Sequence, residues 1–320
     1  MTRIGFHASH EQIGPRQLLT DVEHAERAGF AMAMCSDHFA PWSERQGHSG
    51  FTLSWLGAAL ARTSLEFGCV HAPGQRYHPA TTAQAIATLG EMFPGRFWIA
   101  LGSGENMNEH VTDGQWLDKE TRTQRLEECV DVIRRLLGGA TVTHRGLIRV
   151  HEARLWERAD PLPLLIAPAV SVESAARVAQ WADGLVTLNQ PLDTLREIID
   201  AYRGAGGRGK LALQVHLSWA PTQSEALAIA HDQWRTNVFG AGLAWDLRTP
   251  AAFDEAARFV PPEALHDVVR ISANPEQHVA WLAEYAALGF DDIYCHHVGQ
   301  QQTDFIDAFA EHVLPVFKES

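Results

Sequence analysis

Lysine is scarce in this chain. Only Lys119, Lys210 and Lys318 occur among 26 basic residues, against 39 acidic ones, and the formal net charge is −13. A chain so poor in cations is expected to bind neither nucleic acid nor an anionic membrane surface. No run of eighteen apolar residues is present, which excludes a hydrophobic spanning helix. Met1-Thr2-Arg3-Ile4-Gly5 runs into the first apolar segment without a signal-peptide core or small-residue cleavage site, so a cytoplasmic protein is expected. The four cysteines (Cys35, Cys69, Cys129, Cys295) form no CxxC pair, and buried free thiols are expected rather than disulfides. Histidine is plentiful, yet metal-binding spacing is missing. There is no HExxH, His7 and His10 are separated by two residues, and His296-His297 on a strand would face opposite ways, so no metal is expected.

What is there is an alternation. Hydrophobic residues make up 46% and charged residues 20%, ordinary for a globular chain with a large core. Strand patterns at 3–9, 31–39, 65–72, 97–101, 164–167, 184–188, 211–219 and 291–296 are separated by helical patterns at 15–28, 51–61, 80–92, 119–137, 172–181, 192–205, 224–234 and 276–288, with a closing helix at 304–317. Eight βα repeats favour a closed (β/α)₈ TIM barrel of the α/β class. A doubly wound sheet would want a glycine-rich turn where Ser9-His10-Glu11-Gln12 stands. A single domain over 1–320 is expected, with insertions at about 140–157, read as a hairpin turning at Arg145-Gly146, and about 237–274, read as a flap.

In a parallel barrel, chemistry sits where strands end. Five strand ends carry polar or aromatic groups: His7 to Glu11, Ser36-Asp37-His38 with Trp42, Cys69-Val70-His71, Gly102 to Glu109, and His296-His297. Histidine carries protons near neutral pH and an apolar pocket raises a carboxyl toward it, so His38 with Glu105 is a candidate acid/base pair with Trp42 as its wall. A structural histidine bonded to a loop carbonyl is the alternative. Gly102-Ser103-Gly104 would let backbone approach a ligand, or simply make a tight turn. Ala167-Pro168-Ala169-Val170-Ser171 leads into a helix start that could hold a phosphate, or that Ser171 merely caps.

At these residues a family becomes recognisable. Ser36-Asp37-His38-Phe39-x-Pro41-Trp42, Gly47-His48-Ser49-x-Phe51-x-Leu53-Ser54-Trp55, Arg76-Tyr77-x-Pro79-Ala80 and Gly102-x-Gly104-Glu105-x-x-Asn108-Glu109 resemble the deazaflavin (F420)-dependent glucose-6-phosphate dehydrogenase branch of the luciferase-like flavin superfamily, and a sister group proposed to use ordinary flavin. The resemblance runs from Gly5 to the last helix. It implies a luciferase-like barrel with a flavin-type ring over the strand ends. Asp37 would then bind cofactor, His38 would lie near the reacting ring carbon, Trp42 and Glu105 would be the aromatic wall and the acid, and Gly102, Ser103, Gly104 and Asn108 would touch the cofactor. It also implies a non-prolyl cis peptide in strand three, around Cys69-Val70-His71. One departure stands out. The sugar-phosphate enzymes carry a lysine after strand six, where this chain has Leu188-Asn189-Gln190-Pro191-Leu192-Asp193, so glucose 6-phosphate is doubtful as substrate.

The leading expectation is therefore an FMN-dependent oxidoreductase acting on a small organic molecule, including monooxygenation, with a separate flavin reductase as partner and a homodimeric state. The alternatives are an F420-dependent dehydrogenase or reductase and a flavin-binding barrel without catalysis.

Overall fold

The computed structural model describes residues 2–112 and 114–318. Its strands are β1 (Arg3–Ala8), β2 (Met32–Ser36), β3 (Glu66–His71), β4 (Phe97–Leu101), β5 (Val142–Arg145), β6 (Arg149–Ala153), β7 (Leu164–Pro168), β8 (Gly184–Leu188), β9 (Lys210–Ser218), β10 (Arg270–Ile271) and β11 (Asp292–His297). Going round, the parallel order is β1-β2-β3-β4-β7-β8-β9-β11, and β11 closes the cylinder on β1 through the register Arg3↔Asp292 to Phe6↔Cys295. Helices cover the outside, so each strand is buried on both faces. That is why the strands read as apolar runs instead of alternating.

The two faces still differ. Outward side chains such as Phe6, Cys35, Phe67, Cys69, Ile99, Leu165, Leu213 and Ile293 join the layer beneath the helices. Inward ones, including Met32, Met34, Trp98, Ala100, Ile166, Val186, Ala212 and Tyr294, fill the cylinder. Glycine makes this filling possible at two places. A methyl group on Gly5 would lie 2.7 Å from the Tyr294 ring, and one on Gly68 would overlap the Trp98 indole.

Below the aromatic layer the cylinder is sealed by charge. Arg3 donates to both carboxylate oxygens of Asp292 at 2.7 and 2.8 Å, and Lys210 reaches Asp292 and Glu66 at 2.7 Å each. Arg3 also pairs with Glu66 at 3.2 Å. Asp292 is almost fully buried, so these partners replace the water it has lost.

Two segments interrupt the alternation of strands and helices. Residues 142–153 form the hairpin β5–β6, in which the Gly146 amide donates to the Ile148 carbonyl. After the helix Gln223–Trp234, short helices at Ala241–Ala244 and Pro250–Ala256 and a 3-10 segment at Pro262–Asp267 lead to β10. That two-residue strand, unforeseen in the sequence, pairs with the upper end of β9. A short helix, Asn106–Glu109, was also unforeseen. The closing helix splits into Thr303–His312 and Leu314–Lys318, because Pro315 has no N–H to continue the ladder. All four cysteines are free and buried.

The expected cis peptide around Cys69-Val70-His71 is not found; among the described residues only Asp160–Pro161 is cis. β3 keeps regular parallel register with β2 (Cys35↔Cys69, Ser36↔Val70) and with β4 (Val70↔Ala100, His71↔Leu101), a ladder that extended trans backbone satisfies.

Gly68→Ala should lower the thermal midpoint clearly, through overpacking worth about 2 kcal/mol. Gly57→Ala, in the helix Thr52–Arg62 with nothing within 4 Å of the added methyl, should raise it through about 0.5–1 kcal/mol of helix propensity. Calorimetry of the two variants checks both signs.

Candidate active site

The residue after β1 that matters most is Glu11. Its carboxylate is buried, with one oxygen accepting from Ser9 Oγ at 2.8 Å and the other 2.6 Å from Nδ1 of His38. The ring N–H is poorly aligned for a hydrogen bond, so the pairing is mainly charge on charge. On the far side of the ring, Nε2 lies 3.9 Å from Oε2 of Glu105. His38 is thus held between two carboxylates, and Trp42 stands edge-on to it at 5.4 Å.

The electrostatics follow from this sandwich. Burial alone would depress the His38 pKa, but the charge of Glu11, then of Glu105 and Asp37, overcomes it and pushes it up to about 9. Burial would raise Glu11, yet His38 holds it down at about 2. Glu105 comes out above its ordinary range. Burial raises it, the repulsion of Glu11 and Glu109 adds to this, and His38 only partly compensates.

Asp37 behaves differently from its neighbour. Its side chain points away from the cleft into the layer beneath the helices, wholly buried, where it meets His71 Nδ1 at 3.1 Å, Arg76 Nη2 at 3.0 Å and the Tyr77 hydroxyl at 3.3 Å. Burial would raise its pKa, but His71 and Arg76 keep it below the ordinary carboxylate range. The other nitrogen of His71 lies 3.1 Å from Thr82 Oγ1. Arg76 continues the brace. Its backbone N–H donates to Glu109 at 2.7 Å and its Nη2 to the Asp37 carbonyl at 3.0 Å, tying the loops after β2, β3 and β4 together.

Asn108 completes that brace. Its Oδ1 accepts from the Phe39 amide at 2.8 Å and its Nδ2 donates to Glu105 at 3.3 Å, so one side chain aligns the loops bearing His38 and Glu105. Gly102, Ser103 and Gly104 line the half-exposed cleft between them. Gly104 has φ +83°, and a side chain on it would meet Glu109 at 2.9 Å. A side chain on Gly102 would fill the space beside Pro168 at 3.2 Å. Among the described residues, the amides of Ser103 and Gly104 donate to no protein acceptor.

The expected site residues therefore divide. His38, Trp42, Glu105, Val70, Gly102, Ser103, Gly104, Pro168, Val170 and Ser171 share the open end of the barrel and are all partly exposed. Cys69, Ala167 and Ala169 face the helical layer instead. Asp37, His71 and Asn108 hold the others in place. Ser171 caps the helix Val172–Val178, its hydroxyl accepting from the Ser174 amide. Glu11 was missed as the partner of His38, although its position just after β1 placed it at a strand end.

The flap roofs this end. Asp254 accepts from Ser43 Oγ, the Glu44 amide and Arg45 at 2.7–2.9 Å, and Phe253 packs on Trp42 at 5.2 Å. On the opposite side, the Trp245 and Asp246 carbonyls accept from the backbone and side chain of Asn106 at 3.1 and 2.9 Å.

Comparison with known proteins agrees with this architecture. F420-dependent glucose-6-phosphate dehydrogenases of Beutenbergia cavernae and Microbacterium testaceum are 33% and 32% identical to this chain, over 98% of it and 97% and 96% of their own lengths. The solved structure of an F420-dependent secondary alcohol dehydrogenase in complex with an F420-acetone adduct superposes with a TM-score of 0.90 at 25% identity, with 98% of each chain covered. The long-chain alkane monooxygenase LadA shares the fold at a TM-score of 0.77 and 14% identity, covering 99% of this chain and 91% of that one. The luciferase-like monooxygenase family profile matches residues 1–292. The chain belongs to the luciferase-like monooxygenase family and is an oxidoreductase.

Proposed function

We propose that this protein is a coenzyme F420-dependent dehydrogenase that oxidises an alcohol at the barrel mouth and, in reverse, reduces the corresponding carbonyl compound. The observation that carries the reading is the position of His38 between Glu11 and Glu105 at the edge of the glycine-lined cleft. Whole-chain relatives at about one-third identity carry F420-dependent names, which supports F420. FMN, the leading expectation from the sequence, is supported only by likeness of fold below 25% identity to structures that hold it.

The cleft suits a flat ring. Val70, Gly102, Ser103, Pro168 and Val170 offer small, half-exposed surfaces, and the free Ser103 and Gly104 amides would donate to ring carbonyls. Coenzyme F420, when bound, takes up a hydride from carbon or returns one. The protein must manage the proton. Nδ1 of His38 faces Glu11, which leaves Nε2 free toward the cleft. Nε2 takes the proton of the alcohol hydroxyl as the carbonyl forms, and the buried Glu11 carboxylate stabilises the resulting imidazolium. In carbonyl reduction the imidazolium gives that proton back. Glu105, partly exposed and with its pKa raised, offers an exchange partner between Nε2 and solvent. Trp42 and the flap exclude bulk water, which strengthens both ion pairs.

Fluorescence titration of the purified apoprotein should give tighter binding of F420 than of FMN. Preference for FMN would overturn the cofactor assignment, and binding of neither would remove the flavin reading altogether.

His38→Gln should cut turnover by about 10²- to 10⁴-fold, the usual weight of a positioned acid/base group, without weakening F420 binding. Unchanged turnover would leave a barrel that binds coenzyme without using His38.

The proton acceptor is the neutral imidazole, so alcohol oxidation should rise with pH toward a limb near 9, while carbonyl reduction should fall there. Glu11→Gln removes the charge that favours the imidazolium, so both limbs should move at least one pH unit toward acid. pH–rate profiles of wild type and variant test the direction.

A further inference from the structure

Opposite the glycine turn, the mouth is built from other material. β1, β9 and β11 send His7, Gln214, His216 and His296 inward, and Trp234 reaches them from the end of the helix Gln223–Trp234. His7 stacks on His296 at 4.2 Å, His216 lies 5.3 Å from His296, and the Trp234 ring is 4.8 Å from both His216 and His296.

Their hydrogen bonds fix which atoms remain free. The Gln214 amide nitrogen lies 3.0 Å from His296 Nδ1 and 3.2 Å from His216 Nε2, so it donates to both. His296 Nε2 then donates to Gln12 Oε1 at 2.9 Å, which satisfies that ring completely. Both nitrogens of His7 and the indole N–H of Trp234 have no partner, although these residues are 2% and 4% exposed. On the half-buried His216 and its neighbour Gln214, Nδ1 and the side-chain carbonyl make no hydrogen bond among the described residues. Buried polar atoms of this kind are rare in native structures and point to a ligand.

The free atoms of the cluster itself form a mixed, uncharged set of donors and acceptors; the arginine next to it in sequence, Arg235, is half-buried and its Nε has no partner. Burial holds His7 and His216 down at about 4 and 3, the Glu11 carboxylate only partly offsetting it at His7 while neighbouring histidines add to it, so both rings are uncharged at neutral pH. Arg76 is engaged by Asp37 and Glu109, and Arg45 by Asp232 and Asp254. In the helix that follows β8, Leu192–Gly204, Arg196 is exposed and pairs with Asp193. The fixed charges nearest His38 are the carboxylates Glu11 and Glu105. A phosphate ester only accepts hydrogen bonds and would meet like charge here. A hydroxyl both donates and accepts, which matches the imidazoles and the carboxamide.

We propose that this imidazole–carboxamide–indole cluster is the alcohol-binding site and that it takes an uncharged polyhydroxylated compound, such as an unphosphorylated sugar or polyol. The assignment rests on the dehydrogenase reading above, and its first test is binding in the absence of turnover. Without coenzyme, millimolar D-glucose or myo-inositol should raise the thermal midpoint of the wild-type protein, and glucose 6-phosphate or inorganic phosphate at equal concentration should not. His216→Ala and Gln214→Leu should weaken polyol binding at least tenfold while leaving the F420 titration unchanged; the wild-type comparison stands even if a variant does not fold. Tighter binding of glucose 6-phosphate than of glucose would overturn the proposal. So would loss of F420 binding in the folded variants, which would give the cluster to the coenzyme, or turnover of 2-propanol equal to that of the best polyol. Failure of the wild-type protein to bind F420 would instead sink the dehydrogenase reading and leave the polyol result to be judged alone.

Discussion

A carboxylate sealed from water must find a cation or a proton, and at the mouth of this barrel that requirement fixes two neighbouring residues in opposite senses. Leaving such a charge unpaired costs several kcal/mol, so each ion finds its counterpart. Asp37 and His38 continue extended backbone beyond β2, where successive side chains point opposite ways. Asp37 turns outward to Arg76, Tyr77 and His71, and His38 turns inward to Glu11. The first pairing anchors the loop to the scaffold. The second leaves a single imidazole nitrogen facing the cleft, with its ring orientation set by a partner that cannot move into solvent.

Along the barrel axis the chemistry changes in layers. Arg3, Glu66, Lys210 and Asp292 close the floor with paired charge. Trp98, Tyr294 and Met32 above them form an apolar plug, which Gly5 and Gly68 make room for. Next come imidazoles and a carboxamide on one side and small residues on the other. The mouth is asymmetric as a result. The wall formed by β3, β4 and β7 is smooth, and the wall formed by β1, β9 and β11 is studded with hydrogen-bonding groups. A flat ring and a hydroxylated molecule could share such an opening without competing for the same atoms.

The barrel was legible because burial of strands on both faces and helix breakers such as Pro94-Gly95 mark the alternation plainly. That His38, Glu105 and Trp42 meet at one mouth was legible because strand ends in such a fold are where polar residues need a reason. The Glu11–His38 pairing was not, since sequence order says nothing about which strand ends face each other across a cylinder. The same blindness hid the roles of Asp37 and His71. Both sit in the expected loops, but the alternation beyond the strand end directs their side chains toward the helices. The regular backbone of β3 could not be read against the resemblance either, because a side-chain pattern does not report a peptide's geometry. β10 is too short to leave any period in the sequence, and its only support is the edge of β9.

The fastenings of the flap have a consequence of their own. It is tied at one side to Ser43–Arg45, a few residues past His38, and at the other to Asn106, the residue beside Glu105. Phe253, on the flap itself, leans on the indole that flanks the imidazole. Lifting the roof would pull on both segments that carry His38 and Glu105. An opening wide enough to admit a molecule would therefore disturb the imidazole and the carboxyl together.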